Sequence, residues 1–231
     1  MQQPDVVYVP ALPYTLGGGL VTHGSVVPAN HTATLHKMSH MMYNALVFDF
    51  FGVICSEVAP FWLDRHFSAE DAVKVKATVV HAADIGDVSQ QGMFLCLSEQ
   101  TGVPAHQIEL EWLQLARIDH EVVRLLDIAR RQYRIALLTN SPSQFVRRLL
   151  RDNDLAKYFE VIVVSSEQHC AKPDPVIYNR ALQDLKVDAC QALMIDDNPA
   201  NVEGAKSVGM GGILFRSSDQ LRSAIYSPRV I

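Results

Sequence analysis

The run Ala45-Leu46-Val47-Phe48-Asp49-Phe50-Phe51-Gly52-Val53-Ile54 decides how the chain is read. Its leading apolar residues form a short buried strand, and the carboxylate that follows emerges at the strand's carboxyl end, ahead of two aromatics and a glycine. An Asp in such a place commonly serves only as a turn former or helix cap. Here it has company, because three more apolar strands also run into polar residues. Ile135–Leu138 leads to Thr139-Asn140-Ser141, Val161–Val164 to Ser165-Ser166, and Ala192–Ile195 to Asp196-Asp197-Asn198.

A fifth strand is expected at Gly212–Phe215, and helices are expected near 143–152, 174–186 and 199–207. Continuous apolar strands alternating with helices predict an α/β fold whose parallel sheet is covered on both faces. In such sheets ligands bind beyond the carboxyl ends of the strands, where Asp49, Thr139, Asp196 and Asp197 all fall. Between the first two strands the pattern is helical. Ser68-Ala69-Glu70-Asp71 resembles a capping box opening a helix through about Ala83, Ser89 opens another to about Thr101, and Pro104 begins a third. A fourth, from His120 to about Gln132, groups Val122, Val123, Leu125, Leu126 and Ile128 on one broad face.

The 231 residues, 48% of them hydrophobic, suffice for one sizeable core with an insertion and are few for two independent domains. A net charge of −5, with Lys and Arg scattered, offers no basic footprint for nucleic acid. Cys55, Cys96, Cys170 and Cys190 form no CxxC pair, which suits reduced thiols in a cytoplasmic protein better than a disulfide framework or a zinc site. No run reaches membrane-spanning length. Residues 1–41 hold only Asp5 and Lys37 as charges and show no sustained period, so they are expected to be a disordered N-terminal extension or leader.

The chemistry of the strand ends can be read from the residues. Asp49, Asp196 and Asp197 would repel one another without a cation among them, and hard oxygen ligands lacking His or Cys favour Mg²⁺. A magnesium site usually expects a phosphate. Thr139 offers a hydroxyl, the amides after it offer donors, and Lys172, in Ala171-Lys172-Pro173-Asp174-Pro175, offers a positioned positive charge. Asp49 can act there as a metal ligand alone or as a nucleophile on phosphorus.

Phe48-Asp49-Phe50-Phe51-Gly52-Val53, Leu138-Thr139-Asn140-Ser141, Lys172-Pro173-Asp174-Pro175-Val176-Ile177-Tyr178 and Ile195-Asp196-Asp197-Asn198 resemble the four successive motifs of the haloacid dehalogenase superfamily, over about residues 42–225. The resemblance implies a Rossmann-like core at 42–56 and 119–231, with a small helical cap inserted at 57–118, as in its subfamily IA. It implies Asp49 as nucleophile with Lys172 in the catalytic set, and Mg²⁺ on Asp49, the Phe51 carbonyl, Asp196 and Asp197. Phosphate would be held by Thr139, Asn140 and Lys172, with Phe50 and Phe51 among the phosphate-binding positions. The substrate is then a small phosphorylated molecule, and the protein a monomer or homodimer.

The departure from that pattern is Phe51, where most phosphatases of the superfamily carry a second Asp as general acid and base. Such groups contribute about 10²- to 10⁴-fold, so a hydrolase lacking one is slow unless another group substitutes. Glu57, His66 and His81 are the candidates. Three functions follow: a Mg²⁺-dependent phosphatase, a haloacid dehalogenase proper, and a binding protein that kept the fold and lost turnover. Phe61, Trp62, His66 and Phe94 are expected either to line the cap's side of the site or to pack a small helical bundle.

Overall fold

The computed structural model describes residues 43–226, so the expectation for residues 1–41 lies outside the described residues. The sheet is formed by β1 (Ala45–Phe48), β2 (Arg134–Thr139), β3 (Val161–Val164), β4 (Ala192–Asp196) and β5 (Gly211–Leu214). All pairings are parallel, in the order β3-β2-β1-β4-β5. β1 is therefore central, and the winding reverses between β1 and β4. That reversal opens a crevice at the carboxyl ends of these two strands.

Both faces of the sheet are covered, which is why all four residues of β1 are buried. Leu46 and Phe48 share one face with Ile135, Leu137, Leu193 and Ile195; Ala45 and Val47 share the other with Ala136, Leu138 and Met194. The first face packs against a large cluster that continues into the helices between β1 and β2. The second is closed by Ile177, Tyr178, Ala181 and Ala205.

Helices α1 (Ala59–His66), α2 (Ala69–Val75), α3 (His81–Asp84), α4 (Gln90–Thr101), α5 (Ala105–Leu115) and α6 (His120–Ala129) lie between β1 and β2. Ser68 and Ser89 accept hydrogen bonds from the Asp71 and Gly92 amides, so the caps read from sequence open α2 and α4. The single helix expected from Ser68 to Ala83 is three pieces, because a π-helical turn at Lys76–Val80 joins α2 to α3. α6 is three residues shorter at its end than expected, with Arg130 as its C-cap. α1 was not expected. Beyond β2 come α7 (Ser143–Asp152), α8 (Ser165–Gln168), α9 (Pro175–Leu185), α10 (Pro199–Ser207) and α11 (Ser218–Tyr226). No helix among the described residues is long and apolar enough to cross a membrane.

Candidate active site

The parallel register brings the separate motifs together. Phe48 pairs with Ile195, and the Asp49 amide donates to the Ile195 carbonyl at 2.9 Å, so Asp49 leaves β1 beside Asp196 at the end of β4. The chain then turns sharply. Phe50 N–H donates to Asp49 Oδ1 at 2.7 Å, and the Phe50 carbonyl accepts from Ile54 and Cys55 at 2.9 and 2.8 Å. Gly52, at φ +79°, is a positive-φ position against which the Asp197 carboxylate packs so closely that a Cβ would overlap it.

Lys172 joins the two strands. Its ammonium is buried, 2.8 Å from Asp49 Oδ1 and 2.6 Å from Asp196 Oδ2. Asn140 fixes the Lys172 backbone from both sides: its Nδ2 donates to the Lys172 carbonyl and its Oδ1 accepts from the Lys172 amide, each at 2.9 Å. Asp196 also accepts from the Asn198 amide at 2.9 Å and from Asn201 Nδ2 at 3.0 and 3.1 Å. Asn201 is held in turn by Tyr178, whose hydroxyl donates to its carbonyl at 2.8 Å.

Asp49, Asp196 and Asp197 each place a carboxylate oxygen within 4.8 Å of the others. Two of the three are buried, and one lysine stands among them. Burial, and then the Asp196 charge, push Asp49 well above the usual carboxylate range despite Lys172. The same two causes raise Asp197. Burial works against the Lys172 charge, but Asp49 and Asp196 outweigh it and hold its pKa above the ordinary lysine value. An excess of hard, negative oxygens at this spacing fits a divalent cation such as Mg²⁺. Thr139 is fully buried, and its hydroxyl has no hydrogen-bond partner among the described residues. An orphaned buried hydroxyl costs stability and calls for an explanation.

Above these groups is a cavity of about 150 Å³. Asp49, Phe51, Asn140, Ser141, Asp197 and Asn201 line it from the strand ends; Lys76, Val80, Asp84 and Trp112 line it from the helical insertion. A profile of the haloacid dehalogenase-like hydrolases matches residues 43–209, a span that contains every one of these groups. The chain belongs to the haloacid dehalogenase-like hydrolases.

This hydrolase is 35% identical over 83 residues to the phosphorylated carbohydrates phosphatase of Thermotoga maritima, covering 36% of this chain and 38% of that one. It is 34% identical over 92 residues to the plasmid phosphoglycolate phosphatase of Cupriavidus necator, covering 40% of each. The matches thus span well under half the length of these relatives. A family enzyme of Bacteroides thetaiotaomicron, solved with magnesium and inorganic phosphate, superposes with a TM-score of 0.64 over 75% of this chain and 94% of its own at 21% identity, a likeness of fold.

Within the hydrolase, Phe51 is a packing residue. Its ring stacks on Phe145 with centroids 6.0 Å apart, and Phe145 meets Trp112 edge-on at 5.6 Å, so an aromatic column ties the β1 turn to α7 and α5. Of the substitutes read from sequence, only Glu57 reaches the cavity. Burial chiefly raises its pKa, so it is no solvated loop charge. His66 stacks on Trp62 at 4.1 Å and its Nδ1 lies 2.9 Å from the Trp62 carbonyl, while His81 is exposed. Phe61, Trp62 and Phe94 do not line the cavity either: Phe61 is exposed, and Trp62 and Phe94 are core. Phe50 also lies outside the lining, its side chain buried and its amide taken by Asp49, and the buried Thr139, Lys172 and Asp196 are not among the lining residues either. The sequence reading missed Asn201, Lys76, Trp112 and Asp84. Of these only Asn201 stood next to a motif.

Proposed function

We propose that the chain is a Mg²⁺-dependent phosphatase of small phosphorylated metabolites that works through an aspartyl-phosphate on Asp49, with α1–α5 as a cap over the site. The observation that carries this reading is the buried, unpartnered Thr139 hydroxyl at the strand ends that also carry three clustered carboxylates, two of them bridged by Lys172. A phosphoryl group with its cation answers both features: an acceptor for the Thr139 hydroxyl and positive charge among the three carboxylates, of which Lys172 meets only two.

Asp49 attacks phosphorus, and Lys172, held by Asn140, orients Asp49 and balances charge on the phosphoryl oxygens. The Thr139 hydroxyl and the Asn140 amide hold the remaining oxygens, the Ser141 amide being taken by Ser165 Oγ. Asp49, the Phe51 carbonyl, Asp196 and Asp197 would hold Mg²⁺. That ion, when bound, neutralises charge developing on the transferring group. A cavity of about 150 Å³, walled by insertion and strand ends, suits a small ester. The phosphatases of Thermotoga maritima and Cupriavidus necator support the same class of substrate.

Phe51 favours a second reading, a dehalogenase, but a metal-free displacement of halide does not need the intact Asp196–Asp197 pair. A panel of phosphorylated metabolites with Mg²⁺ and with EDTA, run beside a 2-haloacid, separates the readings. Phosphate release that vanishes in EDTA and returns with Mg²⁺ is expected. Chloride release instead would support the dehalogenase, and neither product would leave a binding protein.

A further inference from the structure

Three observations converge on Asp84, at the end of α3. It lines the same cavity as Asp49 but enters from the helical insertion, a layer not built around the acidic group. Its carboxylate makes no hydrogen bond or ion pair within 4 Å among the described residues, although the cavity wall partly buries it. Its backbone is fixed over the strand ends by one hydroxyl: Ser165 Oγ donates to the Asp84 carbonyl and accepts from the Ser141 amide at 2.9 Å. The residue after Thr139-Asn140 and the residue at the insertion's edge are thus tied to one side chain. Gly86, at φ +81°, reinforces the contact, because a Cβ there would overlap the Ser166 carbonyl.

On the phosphatase reading above, we propose that Asp84 is the general acid and base of this hydrolase, replacing from the insertion the carboxyl group that Phe51 cannot supply. As Asp49 Oδ attacks phosphorus, the bond from phosphorus to the ester oxygen breaks with its electron pair on oxygen, and the Asp84 carboxyl proton moves to that oxygen to release the alcohol. The Asp84 carboxylate then takes a proton from water as the water oxygen attacks phosphorus. The Asp49–phosphorus bond breaks, inorganic phosphate leaves, and Asp84 is again protonated.

The surroundings suit an acid. Burial, with Glu57 adding and Lys76 and Lys172 opposing, raises the Asp84 pKa to about 7. Those three act on it from the loop after β1, from the π-helical turn and from the segment before α9, and Asp49 and Asp197 share the cavity lining with it. Glu167, on the α8 helix beneath α3, is taken by Arg147 at 2.5 Å and by Ser143. Glu57 lines the same cavity and is the rival that experiment must separate from Asp84.

The experiment compares kcat/KM for an alkyl phosphate (glycerol 2-phosphate) and an aryl phosphate (p-nitrophenyl phosphate) in wild type, Asp84→Asn, Asp84→Glu and Glu57→Gln, all with saturating Mg²⁺. The ratio of the two rates within one sample does not depend on how much protein is folded. In Asp84→Asn the alkyl value is expected to fall about 10²- to 10⁴-fold while the aryl value, whose leaving group needs little protonation, changes by less than about tenfold. Dephosphorylation should then limit the variant, giving a burst of nitrophenol. Alkyl kcat/KM of the wild type should decline above pH of about 7, Asp84→Asn should lack that limb, and Asp84→Glu should recover part of the loss. An alkyl-to-aryl ratio that is the same in Asp84→Asn as in wild type overturns the assignment, as does a loss confined to Glu57→Gln. A wild type that cleaves only the aryl ester overturns it too and leaves the phosphatase reading standing. A wild type that cleaves neither ester, nor any of the metabolite panel, ends both.

Discussion

The Lys172 ammonium lies 2.8 Å from the Asp49 carboxylate with its own side chain wholly out of solvent, so the residue read as nucleophile is held inside a buried ion pair that Asp196 shares. Such a pair does little for net stability, because desolvation offsets most of the attraction, but removing one partner strands the other. Lys172→Met is therefore expected to destabilise the metal-free protein by about 3–5 kcal/mol. Part of that loss should return with Mg²⁺, which replaces the missing positive charge. Denaturant midpoints in EDTA and in Mg²⁺ check both statements.

Thr139→Val removes a buried hydroxyl that has no partner. Stability should stay level or rise by about 1 kcal/mol, since an unmet donor costs about 1–3 kcal/mol. Inorganic phosphate should at the same time bind more weakly. Thermal melts with and without phosphate read both, and a lower melting temperature in the free variant would mean that the hydroxyl has a partner in solution.

Gly52→Ala forces a Cβ against Asp197 at a backbone φ of +79°. Beyond a loss of at least about 1 kcal/mol, the displaced Asp197 should bind Mg²⁺ more weakly. Calorimetric titration with Mg²⁺ on the folded variant tests the displacement separately from the strain.

Asp49, Asp197 and Asp84 all have pKa values raised in the folded state, chiefly by burial. A carboxyl that holds its proton better when folded adds stability below its unfolded pKa, and that stability is lost as pH rises through the folded pKa. The metal-free protein should therefore weaken between pH of about 4 and 7. Asp84→Asn should shrink that slope and leave the variant more stable than wild type at pH 8 without metal. Denaturant midpoints across that range decide it, and a steeper slope in the variant would contradict the sign.

Much of this was legible in the chain itself. The strands were plain because a sheet covered on both faces needs unbroken apolar runs, as in Ala45–Phe48 and Ala192–Ile195, and the ends of those runs located Asp49, Thr139 and Asp196. Lys172 stood out through the prolines around it. α1 was hidden because Val58 gives it no side-chain cap and its eight residues are too few to show a sustained period. The π-helical turn was hidden because a one-residue slip leaves helical spacing in place. Asp84 was hidden for a tertiary reason. In Ala83-Asp84-Ile85-Gly86 it looks like a helix end, and only the docking of Gly86 and Ser165 turns it towards the strands. His66 and His81 misled because chemical type says nothing about direction: one ring lies on Trp62 and the other is exposed.

The central claim is that Asp49 carries the phosphoryl group. Acid-quenched protein from turnover with a good substrate and Mg²⁺ can be digested and its peptides weighed. The account predicts one added phosphoryl group on the peptide containing Asp49, absent when Mg²⁺ is withheld and absent in Asp49→Asn, which should also lose phosphate release while keeping its fold. Phosphate release that persists in Asp49→Asn, or wild-type turnover at full rate with no phosphoryl group on that peptide under dephosphorylation-limited conditions, would contradict it.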